Sequence, residues 1–230
     1  MSNFTLKWIA ILCMFIDHIG AIFTPYEFNM FRIIGRLAFP IFCFLLVEGF
    51  YHTRNVKNYV IRLGIFVLLS ELPFDLAFSG KITNESQNVF FTLFIGMLVI
   101  CSMRFIESKV KDNNPILCCF LCLPVIALGC FLAYLLKTDY EIRGILLIVA
   151  FYGLRDRFFV LLMVSFAILS GKYEIYAFIS MLLISLYNGK KGPSMKFFFY
   201  LFYPGHLLIL YLLACYMDNK NPLQFLSYLM

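Results

Sequence analysis

Residues 113–136 contain no Lys, Arg, Asp or Glu, and the same holds for 86–103 and 197–217. A helix rises about 1.5 Å per residue, so about 20 apolar residues cross a bilayer core about 30 Å thick. Runs of this length without charge leave one fold class: helices that satisfy their backbone internally while their side chains meet lipid. Composition supports the reading, since hydrophobic residues make up 62 % and charged residues 14 % of the chain, against about 45–50 % and about 25 % in soluble domains. The 230 residues therefore read as an all-α polytopic membrane protein forming one domain over 1–230, with no linker, internal repeat or room for a soluble module.

Nine candidate spans are predicted, at 5–24, 28–50, 58–78, 88–106, 115–136, 142–154, 157–170, 173–188 and 196–217. The sixth to eighth are short, interrupted by Arg155-Asp156-Arg157 and Lys172-Tyr173-Glu174, and read as tilted or broken helices. Orientation follows from the positive-inside rule. With the N-terminus cytoplasmic, twelve Lys and Arg fall inside (Lys7, the clusters around Arg54, Arg104 and Arg155, and Lys190-Lys191 with Lys196) and five outside, or seven if Arg32 and Arg36 are added. The net charge of +6 is thus a topology signal, and no nucleic-acid partner is expected. The eight cysteines read as small hydrophobes rather than as disulfides or a zinc site. The first apolar run does not read as a cleaved signal, because it lacks a small-residue cleavage site and contains Asp17-His18.

An ionisable side chain within a span costs about 2.5–3.5 kcal/mol on insertion scales, so each is a functional candidate. The first three spans hold most of them: Asp17 and His18; Arg32, Arg36 and Glu48; Glu71 and Asp75. Counted from an outer turn at Pro25-Tyr26, His18, Arg32 and Arg36 lie at a common depth of about 9–15 Å, with Glu71 level and Asp75 one turn above it. Arg32 and Arg36 share a face at i,i+4, as do Glu71 and Asp75. Two readings compete. Arg36–Glu71 and Arg32–Asp75 pairs could serve only to lock helices together. Asp17-His18 falls outside that explanation, and His suits proton transfer near neutral pH. Less prominent are Gly35 to Pro40, where a proline should kink the second span; Asp139-Tyr140 at the outer start of the sixth; and Tyr203-Pro204-Gly205-His206, a second histidine with a helix break midway along the ninth. The loop from His52 to Lys57 reads as a topology anchor or as a holder of phosphate.

Several of these runs together resemble the TraX family of conjugative-pilus proteins. The matching elements are Met14-Phe15-Ile16-Asp17-His18-Ile19-Gly20, Arg32-Ile33-Ile34-Gly35-Arg36-Leu37-Ala38-Phe39-Pro40, Glu48-Gly49-Phe50 with His52-Thr53-Arg54, Ser70-Glu71-Leu72-Pro73-Phe74-Asp75, Asn88 to Leu93, Thr138-Asp139-Tyr140, and Tyr203-Pro204-Gly205-His206-Leu207. They run in order along almost the whole chain. One departure is Glu141 where the family usually follows Asp-Tyr with Gly. The resemblance implies N-terminal acetylation of pilin. It also implies kinship with larger membrane acyltransferases, including acyltransferase-three proteins and the lysosomal heparan glucosaminide acetyltransferase, which use a first-helix His to carry acetyl from cytoplasmic acetyl-CoA to a far-side acceptor.

On that expectation the chain is a multi-pass acetyltransferase of the bacterial cytoplasmic membrane with acetyl-CoA as donor and no metal. His18 is the general base, oriented by Asp17 or Glu71, and Arg36 stabilises the oxyanion. Arg54, Lys57 and Arg62 face the donor's phosphates. Arg32, Asp75, Asp139, Tyr140 and His206 complete the substrate-binding set, and the acceptor is a pilin-like N-terminus, another peptide or a glycan. The rival readings are a proton-coupled transporter, whose usual matching halves are not seen, and a non-catalytic pilus-assembly factor.

Overall fold

Ser2 opens the first helix: its Oγ accepts from the Thr5 N–H at 3.2 Å, satisfying one of the donors a helix start leaves unpaired. In the computed structural model, which describes residues 1–24, 30–83, 85–170, 174–193, 195–219 and 221–222, ten α-helices follow in order. They are α1 (Asn3–Phe23), α2 (Met30–Gly35), α3 (Ala38–His52), α4 (Val56–Ser79), α5 (Val89–Val110), α6 (Pro115–Leu135), α7 (Glu141–Gly153), α8 (Phe158–Ile168), α9 (Ser180–Ser185), led by a 3₁₀ turn at Glu174–Ile179, and α10 (Lys196–Met217). Among the described residues there is no β-strand, only an isolated bridge between Gln87 and Thr138. The proposed turn at Pro25-Tyr26 and the Lys172-Tyr173 interruption lie outside the described residues.

Five helical segments are long and apolar enough to cross a membrane: Asn3–Phe23, Met30–His52, Val89–Val110, Pro115–Leu135 and Phe197–Met217. The chain is a helical membrane protein. Helix α4 is long enough at 24 residues but carries Lys57, Arg62, Glu71 and Asp75. The sixth to eighth predicted spans correspond to α7 of 13 residues, α8 of 11, and the 3₁₀ turn with α9.

Two prolines act differently from one another. In the second predicted span the helix breaks at Arg36-Leu37, four residues before Pro40, where the proline ring clashes with the preceding turn's carbonyl. In the ninth, the break expected at Pro204 does not occur, and α10 runs unbroken from Lys196 to Met217. Pro204 removes one backbone bond, whereas opening the helix in an apolar medium would orphan several.

The described residues gather into two compact units. The first comprises residues 1–42, 68–84 and 169–230. Its organising contact is an aromatic ladder between α1 and α10. Phe4 meets Phe199, Trp8 meets Phe198 and Phe199, Phe15 meets Phe202, and His18 meets Tyr203 and His206, all with centroids within 6.2 Å. The numbers rise together, so α1 and α10 run parallel. Their starts share one end, where the Asn3 and Phe4 N–H groups donate to the Lys190 and Lys191 carbonyls at 2.8 and 3.2 Å.

The second unit comprises residues 43–67 and 85–168. Its core rests on close approach at glycines: a Cβ at Gly96 would strike Ile148, and one at Gly129 would strike Val99, which brings α5 against both α6 and α7. Buried Asn88 ties α4 to α5. Its Oδ1 accepts from the Phe90 N–H at 2.9 Å, and its Nδ2 donates to the Val67 carbonyl at 3.1 Å.

Candidate functional site

His18 falls on the buried stripe of α1 that begins with Leu6, Ala10 and Met14, a spacing of three to four residues that keeps one helix face inward. His206 falls on the equivalent stripe of α10 with Tyr203, Leu207 and Leu210. The parallel ladder brings the two imidazoles to the same rung. His18 Nδ1 lies 2.6 Å from His206 Nε2, and His206 Nδ1 lies 2.6 Å from the Phe202 carbonyl. The rings are coplanar within 1° with centroids 4.9 Å apart. The short N···N distance plus two ring radii accounts for that separation, so this is an in-plane hydrogen bond and not face-to-face stacking. Phe78 and Tyr203 stand edge-on to His18 at 5.4 and 5.9 Å, and both histidines are buried.

Asp17, one residue earlier, faces α2. Arg32 Nη1 donates to Asp17 Oδ2 at 2.6 Å, with side-chain exposures of 32 % and 17 %. This replaces the Arg32–Asp75 pair considered from the sequence. Asp75 is buried and its Oδ2 accepts from the Thr83 N–H at 3.0 Å. The correction has a local cause: Gly35 has no Cβ, and a Cβ there would meet the Asp17 carboxylate, so α2 comes close enough to α1 for Arg32 to reach Asp17. Arg36 sits half-buried at the α2–α3 break and Glu71 half-buried on α4, in the same unit as His18.

The other sequence candidates belong to the second unit. Arg54 and Lys57 are exposed where α3 passes into α4, a turn closed by Asn55 Oδ1 accepting from the Asn58 N–H at 3.0 Å. Among the described residues neither cation has an ion-pair partner. The Arg62 guanidinium lies 5.9 Å from the Tyr59 ring centroid. Asp139 and Tyr140 form the turn into α7. The Asp139 carbonyl accepts from the Thr92 hydroxyl, its N–H donates to Gln87 at 3.1 Å, and Tyr140 takes a left-handed φ of 65°.

Two constellations went unread in the sequence. The first is the His18–His206 contact. Both residues stood out singly, and carrying the depth count on to the last span would have placed His206 ten residues past Lys196, about 15 Å in. The second is an ionic cluster in the other unit. Buried Glu48 accepts from Arg155 Nη2 at 2.6 Å, with His52 Nδ1 at 3.6 Å. Arg155 lies 4.4 Å from the Tyr51 ring centroid. Tyr51 stacks on Tyr152 at 5.6 Å, and the Tyr152 hydroxyl donates to Glu107 Oε2 at 2.8 Å. No sequence signal joins these partners. Among the described residues no three His, Cys, Asp or Glu side chains gather as a metal site.

With this geometry in hand, comparison with known proteins decides the family. The TraX protein family model matches residues 2–214. The chain belongs to the TraX family. It is 29 % identical over 238 residues, 91 % of this chain and 94 % of the relative, to the probable fimbrial assembly protein FimC, serogroup H1, of Dichelobacter nodosus. It is 31 % identical over 99 residues, 43 % of this chain and 36 % of the relative, to the uncharacterized protein RP591 of Rickettsia prowazekii (strain Madrid E). No solved structure matches the chain significantly.

Proposed function

We propose that this TraX protein is a multi-pass acetyltransferase of the bacterial cytoplasmic membrane. In this reading it moves acetyl from cytoplasmic acetyl-CoA to an amine or hydroxyl of a pilin-like N-terminus, another peptide or a glycan. The observation that carries the reading is the buried imidazole of His18, held by a second imidazole and flanked by the Asp17–Arg32 ion pair, 2.6 Å at each contact. Burying two histidines and an ion pair among apolar helices is costly, and packing alone would be served better by aliphatic residues. A neutral imidazole shielded from water is suited to take a proton from an acceptor as it attacks a carbonyl.

The residues divide the chemistry as follows. Arg54 and Lys57, exposed and without carboxylate partners among the described residues, hold the donor's phosphates together with Arg62. His18 takes the proton from the acceptor N–H or O–H. The acceptor attacks the thioester carbonyl, the C–S bond breaks, and the thiolate takes the proton back from His18 and leaves as a free thiol, which restores the base. Arg36, at the helix break, stabilises the oxyanion, since a fixed cation in a dry site opposes developing negative charge strongly. Glu71 and the Asp17–Arg32 pair set the field around the base. The family tie to larger membrane acyltransferases and a cytoplasmic N-terminus belong to the same proposal, the latter on the charge distribution of twelve basic residues against seven.

Similarity to a probable fimbrial assembly protein of Dichelobacter supports a place in fimbrial assembly and fits a non-catalytic assembly role equally well. His18→Ala separates the two. Purified in lipid nanodiscs and given acetyl-CoA and an acceptor peptide, the variant should lose acetyl transfer by about 10²–10⁴-fold, the usual contribution of a positioned base, while still binding acetyl-CoA. Binding of acetyl-CoA by neither protein would leave the assembly role; full turnover by the variant would remove His18 from the mechanism.

A further inference from the structure

We infer that His206 is a positioning residue that locks His18 in the tautomer with its proton on Nδ1, leaving Nε2 as the basic nitrogen. Hydrogen-bond bookkeeping along one line of atoms leads there. The Phe202 carbonyl is an acceptor only, so the His206 nitrogen facing it at 2.6 Å, Nδ1, carries a hydrogen. A neutral imidazole holds one such hydrogen, so His206 Nε2 presents a lone pair. That lone pair faces His18 Nδ1 at 2.6 Å in a shared ring plane. Two lone pairs at this distance would repel, so His18 Nδ1 donates. His18 Nε2 is then left unprotonated.

The arrangement is directional because it ends on a carbonyl, which cannot accept a proton covalently. Neither ring can reverse its tautomer without breaking a buried hydrogen bond, which costs the desolvation of the orphaned group. The backbone supplies the anchor: residues 202 and 206 are one turn apart on α10, so the helix that carries His206 also fixes its ring. The inference deepens the proposed function in its catalytic consequence, which rests on His18 acting as the base. The tautomer itself is independent of that reading.

Substrate-free protein carrying ¹⁵N-histidine in bilayers gives the direct test. In solid-state NMR at a pH where both rings are neutral, His18 should show a protonated Nδ1, a bare Nε2, and a coupling across Nδ1–H···Nε2 to His206. Two variants then separate positioning from packing. His206→Gln places a carbonyl oxygen near the former Nε2 and should keep the His18 signature and activity within a few-fold. His206→Phe keeps a planar ring without an acceptor. It should mix the His18 tautomers and lower kcat by about a hundredfold, within the range for a mispositioned base, with the KM for acetyl-CoA unchanged. A wild-type His18 protonated on Nε2 overturns the inference, and so does equal loss of activity in the Gln and Phe variants. Failure of the acetyl-transfer reading registers elsewhere, as undiminished turnover by His18→Ala.

Discussion

Gly35 has no side chain because Asp17 occupies the space where its Cβ would stand. One hydrogen in place of a methyl group lets α2 close on α1 and carries the Arg32 guanidinium to the Asp17 carboxylate. Gly35→Ala should therefore push the two helices apart, weaken the Asp17–Arg32 pair and destabilise the protein by about 1–3 kcal/mol, the usual range for overpacking. Gly205→Ala, one residue before His206, is the matched control, since its Cβ would meet nothing within 4 Å. Thermal unfolding in detergent should show a lowered midpoint for the first and an unchanged one for the second; equal midpoints would mean that α2 is free to shift. At this scale the sequence was legible in kind but not in pairing. Asp17, His18, Arg32 and Arg36 announced themselves as charges in apolar runs. Which carboxylate Arg32 meets depends on Gly35, the residue just before the break at Arg36-Leu37, and i,i+4 spacing carries no information about partners on other helices.

The ends of α3 and α7 are joined by charge: Glu48, 3 % exposed, meets Arg155, whose side chain is 35 % exposed. The pair is unequal, and the two deletions should differ for that reason. Arg155→Ala leaves a buried carboxylate with, among the described residues, only His52 at 3.6 Å as an ion-pair partner, so it should approach the about 3–5 kcal/mol lost when a buried charge is stripped of its partner. Glu48→Ala leaves Arg155 resting on Tyr51 at 4.4 Å with solvent available, so its cost should be smaller. The double variant should be more stable than Arg155→Ala alone. A double-mutant cycle by thermal or denaturant unfolding checks all three, and equal single effects would show that Glu48 is wetter than its burial implies. Helix positions were well anticipated, since uncharged length is a local property. Whether a proline breaks its helix was not. Pro40 does so next to an existing Gly35-Arg36 weak point, while Pro204 is carried within a helix that packs through the aromatic ladder on both sides of it.

Within the first unit, lysines gather where α1 starts. The first turn of α1, bonded through the Asn3 and Phe4 N–H groups to the carbonyls of Lys190 and Lys191, puts Lys7 in the neighbourhood of those two lysines. Those three lysines are among the twelve basic residues that the proposed cytoplasmic N-terminus places inside. The distribution also bears on how an anionic donor is captured. Arg54 and Lys57 are exposed on the turn between α3 and α4, and among the described residues no carboxylate neutralises either of them. If they receive the phosphates of acetyl-CoA, replacing both with Gln removes two favourable charge contacts made equally in the ground and transition states. Such a loss raises KM and leaves kcat nearly unchanged. The expected size is about tenfold in KM at low salt, equivalent to about 1.4 kcal/mol. The effect should shrink as ionic strength rises, because exposed charges are screened beyond a Debye length of about 10 Å at 0.1 M. Steady-state kinetics at two salt concentrations measures both quantities. An unchanged KM would move the donor's phosphates away from this turn, and a fall in kcat with constant KM would place Arg54 and Lys57 in the chemical step.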